Sequence, residues 1–144
     1  MRNSRDFTPD ILHQLKDAGL VAATAAAQVG GAARILDLGA GRIDARVIVD
    51  MTAVEVDTGN EGYKIWAEVS SSPTFATDVW IAGGLSVGDS SVSLETVDTT
   101  ATGRRELHFT NEINGVSYRY CRLYTVVIGT VATGINYTAW LVTD

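Results

Sequence analysis

The sequence predicts an all-β protein, an antiparallel jelly-roll-like sandwich of about eight strands with a short N-terminal helix or arm. Three observations predict it. From Arg34 onward apolar residues alternate with polar ones, the period of a half-buried strand. Gly, Asn, Asp and Ser interrupt that alternation at short intervals, as turns between strands do. No helical stretch separates any two of the alternating runs, which removes the crossovers that a parallel sheet needs.

The strands follow in order. They are expected at Arg34 to Leu38, Ala45 to Asp57, Tyr63 to Ser70, Asp78 to Leu85, Ser91 to Val97, Arg104 to Phe109, Ser117 to Ile128 and Ile135 to Val142. In the second, the apolar phase runs through Val47, Val49 and Met51 and then shifts to Val54 and Val56, so a bulge is expected near Thr52 and Ala53. Asp57 to Gly62 reads as a hairpin-like connection, and Gly129 to Gly134 as a short loop between two strong strands that then pair antiparallel. Tyr118, Tyr120 and Tyr124 fall opposite Cys121, Leu123 and Val127, so that strand is apolar on both faces and is expected to be central or at an interface.

Ahead of the strands, Thr8, Pro9 and Asp10 form a helix start: a capping hydroxyl, a proline suited to the first helical position and a carboxylate that complements the dipole. Ile11, Leu12 and Leu15 then make one apolar stripe on a helix that ends at Gly19 or continues through the Ala-rich run to Ala27. The chain divides on this reading into a helix and Ala/Gly-rich arm, 1–33, and a β-sandwich domain, 34–144. The stripe either clamps a neighbouring molecule or covers one end of its own domain. Either way it is an appendage, expected to dock on a neighbour, so deleting residues 1–31 is expected to leave a folded β-domain with weakened attachment.

Length and charge narrow the function. A chain of 144 residues suits one domain, which hides roughly 70% of its unfolded surface. With 11 Lys and Arg against 17 Asp and Glu, the net charge of −6 repels a phosphate backbone, so no nucleic-acid partner is expected. The least polar long stretch, Gly19 to Ala33, is too short and too weakly apolar to span a bilayer, and no membrane partner is expected. Arg2 and Arg5 are interrupted by Asp6 and Asp10 without a following apolar core, so this region does not read as a signal peptide and folding in a cytoplasm is expected. Cys121 is the only cysteine, which excludes an intrachain disulfide and suggests a buried thiol.

Chemical motifs are sparse. The segment Arg34-Ile35-Leu36-Asp37-Leu38-Gly39-Ala40-Gly41 resembles the first motif of methyltransferases that use S-adenosylmethionine, but Ile43 stands where a third glycine is needed and a strand follows where a helix is needed. Gly39 and Gly41 are therefore read as turn residues. His13 and His108 are far apart and form no triad, while Ser90 and Ser91 lie in a turn where hydroxyls bond locally. One Cys and two separated His do not make a zinc site, and Asp57, Asn60 and Glu61 read as a solvated turn. Glu68, Glu95 and Glu106 alternate with apolar neighbours as on a wet sheet face. No catalytic residue, metal or cofactor is expected, and the chain is not read as an enzyme.

The tryptophans carry more information. Trp66, Trp80 and Trp140 all fall on the polar phase of their strands, where large aromatics anchor protein interfaces, stack on sugars or are covered within the subunit. With Ile11, Leu12 and Leu15 they are the candidate protein-interface residues.

A set of segments from Arg34 to Asp144 resembles the jelly-roll capsid cement, or decoration, proteins of tailed double-stranded DNA bacteriophages. They are Leu36-Asp37-Leu38-Gly39, Glu61 and Tyr63, the serine-rich turn from Ser70 to Ala76 with Phe75 in it, Phe109-Thr110-Asn111-Glu112, Tyr118 to Tyr124, Gly129-Thr130 and Tyr137 to Leu141. The resemblance implies a virion structural protein, made in the bacterial host cytoplasm, that joins the outer capsid surface and catalyses nothing. It implies two partners: the major capsid protein, and other copies of the chain in a dimer or trimer. The alternative is a carbohydrate-binding jelly roll or head-fibre module, which the polar-phase tryptophans favour.

Overall fold

The computed structural model describes residues 11–93 and 102–143, without the side chains of Ile11 and Ser93. A 3₁₀ turn at Ile11–His13 leads into six short strands: β1 (Gln14–Lys16), β2 (Leu20–Val21), β3 (Ala25–Ala26), β4 (Gln28–Val29), β5 (Ala32–Ala33) and β6 (Leu36–Asp37). The long strands β7 (Asp44–Val54), β8 (Gly62–Ser70) and β9 (Trp80–Gly88) follow, then one helical turn, α1 (Ser90–Ser93). The rest is β10 (Gly103–Thr110), the small hairpin β11 (Glu112–Ile113) and β12 (Val116–Ser117), and the long strands β13 (Tyr120–Ile128) and β14 (Ile135–Thr143).

These elements form an all-β antiparallel sandwich, as the alternation predicts. One sheet has the order β1-β14-β7-β10, with β2 also on β14; the other has the order β3-β13-β8-β9, with β6 also on β13. Alternation explains the core between them. Val47, Val49 and Met51 of β7, Ile65 and Val69 of β8, Leu123 of β13 and Ile135 and Ala139 of β14 are all buried, one residue in two along each strand. The expected bulge is present: Asn136 pairs with Ala53 and Tyr137 with Met51, leaving Thr52 as the extra residue. β13 is interior, paired with β8 on one side and with β3 and β6 on the other, which accounts for its two apolar faces.

The two short connections differ from the sequence reading. Residues 55–61 join β7 to β8, and 129–134 join β13 to β14, yet in each case the two strands lie in different sheets. Neither is a hairpin. Each carries the chain across the sandwich, so β7 pairs with β14 while β8 pairs with β13, and the two ribbons wind round one another in a jelly-roll-like way. Among the described residues, the only pair of successive long strands that forms a hairpin is β8 and β9, joined through the serine-rich turn.

The N-terminal helix requires a correction. Beyond the 3₁₀ turn, the segment that was to be helical is extended and adds strands to both sheets: β1 and β2 lie on β14, and β3 lies on β13. Alanine carries little β signal, so nothing in the Ala-rich run announces strands, and partners distant in the chain select the extended form over local helix propensity. Leu15 and Ala27 enter the common core. The segment is laced down by polar bonds as well: Arg34 donates to the carbonyls of Leu12 and Gln14, and Asp17 accepts from the Gly30 N–H at 2.7 Å. The Thr8-Pro9-Asp10 helix start lies outside the described residues. The strand expected at Ser91 to Val97 is a helical turn at Ser90–Ser93, where Asp89 Oδ1 accepts from the Ser91 N–H at 2.8 Å and its hydroxyl at 2.6 Å, and the remainder lies outside the described residues.

Candidate functional site

The six candidate interface residues do not form one surface. Trp66 projects from the outer face of the β8 sheet, cross-strand from Tyr124 on one side and Gly84 on the other. A methyl group at Gly84 would come within 2.9 Å of the indole Cδ1, so the ring occupies the space that this glycine leaves open. A shallow depression of about 390 Å³ over Gly83 and Gly84 borders it, with Lys64 and Ser86 alongside. Trp140 projects from the opposite outer face, cross-strand from Ile48, which is only 2% exposed. There the indole serves as cover for its own sheet. Both rings are half-buried.

Trp80 opens β9 and is 43% exposed, with its ring 6.3 Å from that of Tyr118 and tilted by 43°. Val79 and Ile81 beside it are also exposed, as is Val116. Leu12 is exposed in the 3₁₀ turn, whereas Leu15 is 1% exposed and packed inside the sandwich. Leu15 is therefore not a surface contact: as part of β1 it points inward rather than along a helical stripe. The side chain of Ile11 lies outside the described residues.

Polar groups on the outer face of the β8 sheet are paired with one another. Arg122 Nε donates to Glu68 at 2.9 Å, and the guanidinium stacks between Phe75, at 4.4 Å from the ring centroid, and Tyr124, at 5.2 Å. Phe75 reaches this place from the serine-rich turn with φ of 58°, held by the Ser72 carbonyl, which accepts from the Phe75 N–H at 3.2 Å. Arg119 forms a two-pronged bond with Asp37, both prongs 2.8 Å, and this holds the Asp37 carboxyl down at about 2.

Two buried carboxylates escaped the sequence reading. Glu55 accepts from the N–H groups of Ala132, Thr133 and Gly134, the last at 2.6 Å, and these bonds hold its pKa below the usual carboxylate range. Glu61 is fully buried. Burial alone would raise its pKa, but bonds from the Thr58 and Asn60 N–H groups outweigh this and hold it down at about 2. Both side chains fix the crossover loops, so the expected solvated turn is in fact tied by an interior glutamate. Their partners are backbone groups, which leave no mark in a sequence pattern.

Other candidates for chemistry are placed structurally. Burial pushes the Cys121 thiol up to about 12, which removes the thiolate a nucleophile needs. Gly39 and Gly41 both adopt positive φ, in the turn expected of them. Asn111, fully buried, accepts from the Ile43 N–H and donates to the carbonyls of Gly41 and Tyr118, tying that turn to the β11–β12 hairpin. Among the described residues, no group of three or more His, Cys, Asp or Glu is placed to hold a metal, and no helix is long and apolar enough to cross a membrane. A scan against protein-family models and a search of curated proteins match nothing to this chain.

Proposed function

We propose that this chain is a capsid decoration protein of a tailed phage, which binds the outside of the major capsid protein shell, stabilises it and catalyses nothing. The observation that carries this reading is the ordered series of cement-like segments between Leu36 and Leu141. Their places in the fold support it. Glu61 ties a crossover, Phe75 packs against Arg122, and Asn111 gathers three backbone groups. These are places that determine how the chain winds, so they support the fold part of the resemblance. A small domain binds well when its weak contacts repeat over a symmetric lattice.

Co-sedimentation tests the proposal. The purified chain is expected to pellet with expanded shells of the major capsid protein encoded in the same genome and to remain in the supernatant without them. A chain that stays soluble in the presence of shells removes the reading. The depression beside Trp66 favours a second reading, in which the outer face of the β8 sheet stacks on a sugar ring. Binding on a glycan array, lost in Trp66→Ala, would select that reading instead.

A further inference from the structure

The sandwich has four sheet edges, and the chain treats them differently. On one side, its own N-terminal segment covers both: β1 and β2 lie on β14, and β3 and β6 lie on β13. On the other side, β10 and β9 are the outermost strands, and among the described residues each pairs with one neighbour only. β10 carries Arg104, Arg105, Glu106 and His108, the charged composition that keeps a free edge from pairing. β9 has no such protection. Its nine residues, Trp-Ile-Ala-Gly-Gly-Leu-Ser-Val-Gly, contain no charged side chain and no proline.

We infer that β9 is the surface through which one copy of this chain pairs with a second, edge to edge and antiparallel. The occupant follows from charge and backbone chemistry. Across a two-fold axis position i of one copy faces position j of the other with i + j constant, so a strand without charges faces its own copy in any register with neither like-charge repulsion nor an unmatched charge. Outward N–H and C=O groups of one copy match those of the other. Ala82 is an extra residue in the β8–β9 ladder, since Gly83 pairs with Ala67 and Ile81 with Glu68. That bulge confines the regular pairing run to Gly83–Gly88 and turns Val79, Trp80 and Ile81, exposed by 41%, 43% and 53%, into the apolar cover beside it.

This names the surface for the self-association that the resemblance implies and does not depend on a capsid. The test uses the full chain without shells, by sedimentation equilibrium over roughly 1 to 100 µM. Two variants probe the edge: Ile81→Lys, whose new charge lies cross-strand from Glu68 within the subunit, and Ser86→Glu, cross-strand from Lys64. Each is compatible with its own fold, checked by circular dichroism; Ser86→Glu brings two like charges close together at the centre of the paired run, and Ile81→Lys sets a charge in the apolar cover beside it. The wild type is expected to self-associate, each variant to weaken association about tenfold or more, and amide exchange within Gly83–Gly88 to slow as concentration rises. A wild type that is monomeric throughout overturns the inference. So does self-association that both variants retain, or that leaves exchange in Gly83–Gly88 unchanged. A chain that pairs through β9 but ignores shells loses the capsid reading alone.

Discussion

The Lys16 ammonium lies 4.6 Å from the centroid of the Tyr137 ring and 2.9 Å from the Tyr137 carbonyl oxygen, fastening β1 to β14 across more than a hundred residues of chain. Nζ also donates to the carbonyls of Asp17 and Gly19, both at 2.9 Å, so its three protons have three acceptors. Burial still pushes its pKa down, against the attraction of Asp17. Lys16 is 4% exposed, a charge held inside because each donor is satisfied.

Lys16→Ala is expected to destabilise the protein by about 2–4 kcal/mol, since it strips a bond from the buried Tyr137 carbonyl and opens a void. Lys16→Met, which refills the space without the donors, should recover part of that loss. Urea unfolding of the three proteins measures it. Equal stability of wild type and Lys16→Ala would mean that the ammonium contributes nothing to holding the segment.

Deleting residues 1–31 should abolish cooperative unfolding. It removes β1 to β4, uncovers the edge of β14 and the part of the β13 edge that β3 covers, and takes Leu15 and Ala27 out of the core. Circular dichroism during thermal unfolding gives the answer. A truncated chain with a sharp transition near that of the full chain would restore the appendage reading.

How much of this was legible depended on what kind of neighbour a residue has. The phase shift between Met51 and Val54 revealed the bulge at Thr52 because burial alternates along a strand whatever lies beside it. Alternation is silent about which strand that is, so the crossings at 55–61 and 129–134 looked like ordinary turns. The polar phase of Trp66 and Trp140 correctly placed both on outer faces, but their lying on opposite faces is a matter of sheet membership. β1, β2 and β3 stayed hidden because Ala25 and Ala26 have nothing to alternate, and Lys16, Glu55 and Glu61 stayed hidden because their partners are peptide groups.

Acid should weaken the fold through its hydrogen-bonded carboxylates. Glu61 titrates at about 2 in the folded chain against an ordinary 4.5, so between those values the unfolded chain binds more protons. Asp37 and Glu55 shift in the same direction. Their contribution is complete above about pH 5 and is lost as the pH falls towards 2. The melting temperature should therefore be flat from neutral to about pH 5 and fall below it. In Glu61→Gln it should be lower at neutral pH, with the gap to wild type closing in acid. A gap of constant size at every pH would exclude this role for Glu61.

Stabilisation of a capsid, the function proposed for this chain, has a thermal signature, because a bound protein stabilises only the state it binds. The most direct measurement is the temperature at which DNA escapes from particles of the same phage, purified with the protein, without it, and after adding it back. The account predicts release at a lower temperature without the protein and recovery on its return. Identical release temperatures in all three preparations would contradict it.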